Sequence, residues 1–169
     1  AGPGELYARN TPNVWSVASV DSDLGLIFLP TGNTPPDFFG GQRSAAQDRY
    51  NSSIVALDYQ SGDVRWSFQT VNHDVWDLDI ASQPVAVNWS FENEILPVLI
   101  VPTKRGEIFI LDRRTGEPIT AIEQRPVPQN PVAGEWLAPT QPYSVGLPSF
   151  APADLDEASM WGATPLDQL

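Results

Sequence analysis

The chain has 169 residues, no cysteine and a net charge of −12, from 21 acidic and 9 basic side chains. That balance leaves no basic footprint for a nucleic acid, and the cysteine count excludes disulfides and thiolate metal sites. With 17 prolines, 12 glycines, 41% hydrophobic and 18% charged residues, the composition describes a folded, turn-rich chain without long helices, and no apolar run reaches the roughly 18 residues of a membrane span.

The chain opens Ala1-Gly2-Pro3-Gly4, with neither an initiator Met nor a signal-like segment, and reads as a piece of something longer. Short apolar, β-branched runs bounded by turn signals then predict strands at residues 14–20, 24–29, 53–57 and 64–69. A second set follows at 83–87, 98–102, 107–111 and 118–121. The third strand of each set ends in an apolar-Asp step and a glycine four residues on: Leu57-Asp58 with Gly62, then Leu111-Asp112 with Gly116. Trp66 follows the first glycine by four residues, and Thr120 stands at that place in the second copy. Residues from 122 onward are Pro-rich and read as a connection, with the start of a further unit near 143–150. Met160-Trp161-Gly162-Ala163-Thr164 reads as a local packing unit and Tyr50-Asn51-Ser52-Ser53 as the start of a strand.

Two copies of a four-stranded antiparallel unit predict an all-β fold, a β-propeller segment of two to three blades within one partial domain over 1–169. Blade 1 occupies about 14–70 and blade 2 about 83–121. Two blades cannot close a ring, so the chain either belongs to a larger propeller or assembles with copies of itself; the first is expected. In an up-and-down blade, the second-to-third turn and the crossing to the next blade lie on the same face of the disc. Asn33 follows a second strand, Asp77 lies in a blade crossing and Lys104 in a second-to-third turn, so all three share a face, with Trp15 at the start of an innermost strand.

Asn72-His73-Asp74-Val75-Trp76-Asp77-Leu78-Asp79 carries three carboxylates and the chain's one histidine. A carboxylate here can accept a proton from an alcohol; the plainer reading is that loop acids cap turns, and Asp74 and Asp79 are assigned that role. Lys104 in Pro102-Thr103-Lys104-Arg105-Gly106 is by default a solvated turn cation. Asn33 serves either as a turn residue or, through its amide oxygen, as a ligand to a hard cation. Trp15 is by type a core residue, and His73, with no second histidine, is read as structural or as a polar loop residue. No nucleophile elbow, phosphate loop or dinucleotide fingerprint occurs.

Taken together these residues resemble the pyrroloquinoline quinone-dependent dehydrogenases, eight-bladed propellers with the cofactor on the axis, and within them the membrane-bound glucose, quinate and shikimate branch. The likeness runs from Thr11-Pro12-Asn13-Val14-Trp15 through Tyr50-Asn51-Ser52-Ser53-Ile54-Val55-Ala56-Leu57-Asp58 to residues 156–169, and Trp15-x4-Val20-Asp21 with Leu26-Ile27-Phe28-Leu29 and Gly32 resembles a quinoprotein signature. It departs at Val20, Gly25 and Pro35, where the wider family has Tyr, an acidic or amide residue and a small residue; this suits the membrane-bound branch and weakens a simple-alcohol assignment.

The resemblance implies Trp15 as the floor under the quinone, Asp77 as catalytic base and a metal contact, Lys104 as the cation near the reactive carbonyl, and Asn33 as a ligand to calcium or magnesium. It implies oxidation of a sugar or cyclic polyol hydroxyl, electrons passing to ubiquinone, and a parent enzyme at the periplasmic face of the inner membrane whose remaining blades complete the site, so that this chain alone is inactive. The competing class, a non-catalytic propeller scaffold, predicts no particular residues at the face.

Overall fold

The computed structural model describes residues 10–91 and 94–151, together with Asp156, Gly162, Thr164 and Leu166. Much of the expected packing unit, Met160, Trp161 and Ala163, lies outside the described residues. The elements in chain order are β1 (Ser19–Asp21), β2 (Leu26–Pro30), α1 (Ala45–Arg49), β3 (Ser53–Asp58), β4 (Val64–Gln69), β5 (Val85–Phe91), β6 (Glu94–Pro102), β7 (Ile108–Asp112), β8 (Ile122–Pro126) and β9 (Thr140–Ser144). All sheets are antiparallel: β1-β2-β3-β4, then β5-β6-β7, then the hairpin β8-β9.

The repeated Asp-x-x-x-Gly step makes the same turn twice. Asp58 Oδ1 accepts from the Gln60 and Ser61 N–H groups, and Gly62 N–H donates to Asp58 O at 2.8 Å. Asp112 Oδ1 accepts from Arg114 N–H, and Gly116 N–H donates to Asp112 O, also at 2.8 Å. Both glycines have φ near +77°, at +78° and +76°, a region costly for residues with a Cβ.

The core lies between the first two sheets. Leu26 and Phe28 of β2, Ile54 and Ala56 of β3 and Trp66 of β4 meet Leu99, Val101, Phe109 and Leu111 of the second sheet, each burial worth roughly 1.5–3 kcal/mol for the larger side chains. Alternation by twos along β2 aims Leu26 and Phe28 inward together. Trp66 locks the sheets: its ring sits 5.6 Å from Phe28, its indole N–H donates to Arg113 O at 3.0 Å, and a Cβ on Gly116 would lie 2.4 Å from its Cε3. Arg113 also pairs with Asp21 of β1 at 3.3 Å.

Several local expectations change, and the strands expected at 83–87 and 98–102 are the longer β5 and β6. The first strand begins only at Ser19, with residues 14–18 outside the ladder. The strand expected at 118–121 reduces to a single bridge between Pro118 and Leu111, because proline cannot extend a ladder as a donor. The Pro-rich tail forms the hairpin β8-β9, with Gln124 facing Pro142 and Pro126 facing Thr140. A two-stranded sheet has only edges, where proline is tolerated. The long loop after β2 also carries α1, opened by a capping box between Ser44 and Gln47.

Candidate active site

After β2 the chain continues as an extended segment against two neighbours: Thr31 N–H donates to Ser53 O at 2.8 Å, and Ile80 N–H donates to Thr31 O at 3.2 Å. Residues 79–80 therefore run beside 31–33, and this pairing organises the site.

Lys104 sits in the turn between β6 and β7, closed by Gly106 N–H to Thr103 O at 3.0 Å. Its Nζ donates to the backbone oxygen of Asp77 at 2.7 Å and pairs with Asp77 Oδ2 at 3.2 Å. Both side chains are partly exposed, so the pair is accessible to a ligand. Arg105 anchors the same turn to β9: it stacks on Tyr143 at 4.1 Å, donates to Pro142 O at 3.0 Å and pairs with Glu107 at 2.9 Å.

Asp77 holds a left-handed backbone, φ +60°, which costs a non-glycine residue on the order of 1–3 kcal/mol unless its surroundings fix it. Lys104 fixes it at the Asp77 backbone oxygen, and Asp74 fixes it at the flanking amides. Asp74 Oδ1 accepts from Trp76 N–H at 2.8 Å and its Oδ2 from Leu78 N–H at 2.8 Å, so one carboxylate grips the amides on either side of Asp77. Ser52 Oγ donates to the same Oδ2. Burial pushes the Asp74 carboxyl above the ordinary aspartate range, against the pull of the Ser52, Trp76 and Leu78 donors.

Asp79 serves the other half of the site. Trp15 is 57% exposed, so it is no core residue; its indole N–H donates to Asp79 Oδ2 at 3.0 Å. Asp79 Oδ1 accepts from the backbone N–H of Asn33. Trp15 also lies against Gly32, where a Cβ would stand 3.0 Å from Nε1. An exposed indole pinned at its nitrogen and backed by a glycine offers a flat π face to a planar ligand.

Asn33 is 1% exposed and its amide is engaged locally: Oδ1 accepts from Thr34 N–H at 2.9 Å and Nδ2 donates to Asp37 O at 2.7 Å. Among the described residues no three His, Asp or Glu side chains gather as a metal cluster. These elements thus present an exposed indole face and a partly exposed cation, whereas a metal would need donors beyond Asn33 and Asp77.

His73 is buried between two carboxylates, Nδ1 at 2.7 Å from Asp48 Oδ1 of α1 and Nε2 at 2.9 Å from Glu135 Oε1, and it stacks on Trp136 at 3.6 Å. Burial pushes the Glu135 carboxyl up, but donors from His73, Gly40 N–H and Trp136 N–H outweigh it and hold it below the usual glutamate range. Of the two readings of His73, burial between paired carboxylates fits the structural one. The roles of Asp74 and Asp79 go beyond turn capping, and their partners Ser52, Trp15 and Asn33 come from distant parts of the sequence.

A family model described as the β-propeller domain of glucose/ethanol/alcohol dehydrogenases matches residues 1–169. The chain is 47% identical over 164 residues to the quinoprotein glucose dehydrogenase of Escherichia coli, covering 96% of this chain and 20% of that protein. It is 46% identical over 165 residues to the glycerol dehydrogenase large subunit of Gluconobacter thailandicus (96% and 22%), and 40% identical over 168 residues to the quinate/shikimate dehydrogenase (quinone) of Acinetobacter baylyi (99% and 21%). The chain thus spans about a fifth of the length of the curated relatives it matches. Among solved structures, the quinohemoprotein alcohol dehydrogenase of Comamonas testosteroni superposes with a TM-score of 0.60 at 25% identity, over 81% of this chain and 20% of that one. A europium-containing methanol dehydrogenase gives 0.59 at 25% identity, over 80% and 23%.

Proposed function

The chain belongs to the β-propeller domain family of the glucose/ethanol/alcohol dehydrogenases, and from that premise we propose that it supplies part of the active site of a quinoprotein dehydrogenase oxidising a sugar or polyol hydroxyl. The observation that carries this reading is the contact of Lys104 with Asp77 beside a segment that also pins Trp15. Relatives named for glucose, glycerol and quinate support a polyhydroxylated substrate, and the word quinone in one of those names supports a quinone acceptor such as ubiquinone. We place the whole enzyme at the periplasmic face of the inner membrane; no helix among the described residues is long and apolar enough to cross one. Other blades of an eight-bladed ring would complete the pocket, and the chain alone would not turn over.

Bound pyrroloquinoline quinone would supply the two-electron acceptor. Trp15 would stack on its ring and set its plane. Lys104 would offer a cation where negative charge develops on a carbonyl oxygen, a donor already held in place before reaction. Asp77 would take the substrate O–H proton on Oδ1, the oxygen not bonded to Lys104, as the carbon bearing that hydroxyl loses its hydride. Asn33 and Asp77 are proposed as the contacts this chain offers to calcium or magnesium, with further donors from the cofactor and other blades.

Asp77→Asn in the complete enzyme tests the assignment. It keeps the size and removes the base, so turnover should fall by about 10²–10⁴-fold with quinone binding retained. Full turnover would remove Asp77 from the base role, and recovery at high calcium would assign it to the metal.

A further inference from the structure

We infer that Asp74 is the positioning residue of this site: its buried carboxylate fixes the peptide on which Asp77 stands and so aims the base at the substrate. This rests on the reading of Asp77 as base. Asp74 does not itself reach the surface; the whole residue is buried. Its two oxygens grip the N–H groups immediately before and after Asp77, both at 2.8 Å, so Asp77 stands between two fixed amides with its side chain partly exposed.

The grip is anchored from two further directions. Ser52, itself fully buried next to β3, donates its hydroxyl to Asp74 Oδ2, and the guanidinium of Arg43 donates to the Asp74 backbone oxygen. One residue earlier, His73 is wedged between Asp48 and Glu135, so the peptide entering Asp74 is held by both the α1 loop and the loop before β9. A carboxylate accepts on both oxygens, whereas the amide of asparagine accepts on only one. Asp74→Asn therefore loses one of the two amide bonds bracketing Asp77 with almost no change in volume. Misplacing a reacting group by about 1 Å costs up to about 10²-fold in rate.

The test compares Asp74→Asn, Ser52→Ala and Asp77→Asn in the complete holoenzyme, with hydrogen exchange followed in the peptide spanning residues 75–79. Asp74→Asn should lower kcat by about 10–10²-fold, with KM and quinone affinity near wild type and exchange raised in that peptide. Ser52→Ala should move both readouts the same way by a smaller amount, and it decides the question should Asp74→Asn fail to fold. A purely structural Asp74 would lower the melting temperature and leave the kcat of the folded enzyme unchanged. Unchanged exchange in 75–79 in the folded variants overturns the inference. So does raised exchange with wild-type kcat while Asp77→Asn is inactive. Wild-type turnover in Asp77→Asn would instead remove the base assignment, while the exchange data still judge whether Asp74 holds the loop.

Discussion

The indole N–H of Trp15 donates to Asp79 Oδ2 at 3.0 Å, while the other oxygen of that carboxylate takes the backbone N–H of Asn33. One side chain thus ties the aromatic plate to the turn after β2, two residues along from Asp77. A hydrogen bond to a charged group contributes about 1.5–3 kcal/mol. Asp79→Asn keeps one acceptor for two donors, so Trp15 should lose its fixed orientation. Quinone affinity should weaken roughly tenfold, taking the lower end of that range, as read by fluorescence titration of the apoenzyme. An unchanged Kd would mean that Asp79 does not set the plate.

Lys104→Ala should act on the chemical step. Loss of one preorganised donor to a developing oxyanion costs about 10²–10³-fold in kcat. The same change removes both contacts to Asp77, so KM for the alcohol should move little while single-turnover reduction of the cofactor slows. Lys104→Arg keeps the charge in a planar fork and should recover part of the rate. Wild-type turnover in Lys104→Ala would return this residue to an ordinary turn cation.

The parts of this architecture that were legible in the sequence are those whose cause is local. Asp58 with Gly62 and Asp112 with Gly116 announce their turns because the bonding partners lie within four residues. Strands β2, β3 and β4 followed from alternation and β-branching over short windows. The capping box Ser44-Ala45-Ala46-Gln47 was equally local and would have announced α1. The hairpin β8-β9 was hidden because Pro126 and Pro142 read as breakers, and their edge position is a property of the pairing. Asp74, Asp77 and Asp79 look alike in sequence. What separates them is Ser52 at one carboxylate, Lys104 at the second and Trp15 at the third, partners 22, 27 and 64 residues away.

Acid should loosen the clasp around His73. The Glu135 carboxyl is held below the ordinary glutamate value of 4.5 because donors from His73, Gly40 and Trp136 outweigh the effect of burial. A depressed carboxyl pKa contributes stability that is present above the unfolded value and is lost as pH falls through the folded one. Asp74 has the opposite sign: its raised pKa favours folding below the unfolded value, and that contribution fades as pH rises through the folded one. Glu135→Gln should therefore flatten the fall in melting temperature below pH 4.5 and leave a lower plateau at neutral pH. A parallel acid limb in the variant would show that other carboxyls govern it.

Two glycines separate a steric demand at the site from a backbone demand in the scaffold. Gly32 has an ordinary φ, yet a Cβ there would stand 2.5 Å from Asn13 Oδ1 and 3.0 Å from Trp15 Nε1. Gly32→Ala should thus push Asn13 and the indole outward and stretch the Trp15–Asp79 bond, because the backbone beneath is tied by Gly32 N–H to Asn13 O at 2.8 Å. Gly62 is the reverse case: nothing lies within 4 Å of its added Cβ, but its φ is +78°. Gly62→Ala should cost about 1–2 kcal/mol of stability through the left-handed backbone and leave quinone affinity at wild type. Gly32→Ala should weaken quinone binding several-fold for a smaller loss of stability, since Asn13 and Trp15 are partly exposed and can give way. The pair is measured by melting temperature and quinone titration on each variant. If both lose stability and neither loses affinity, Gly32 is there for the fold and the placement of Trp15 under the quinone fails.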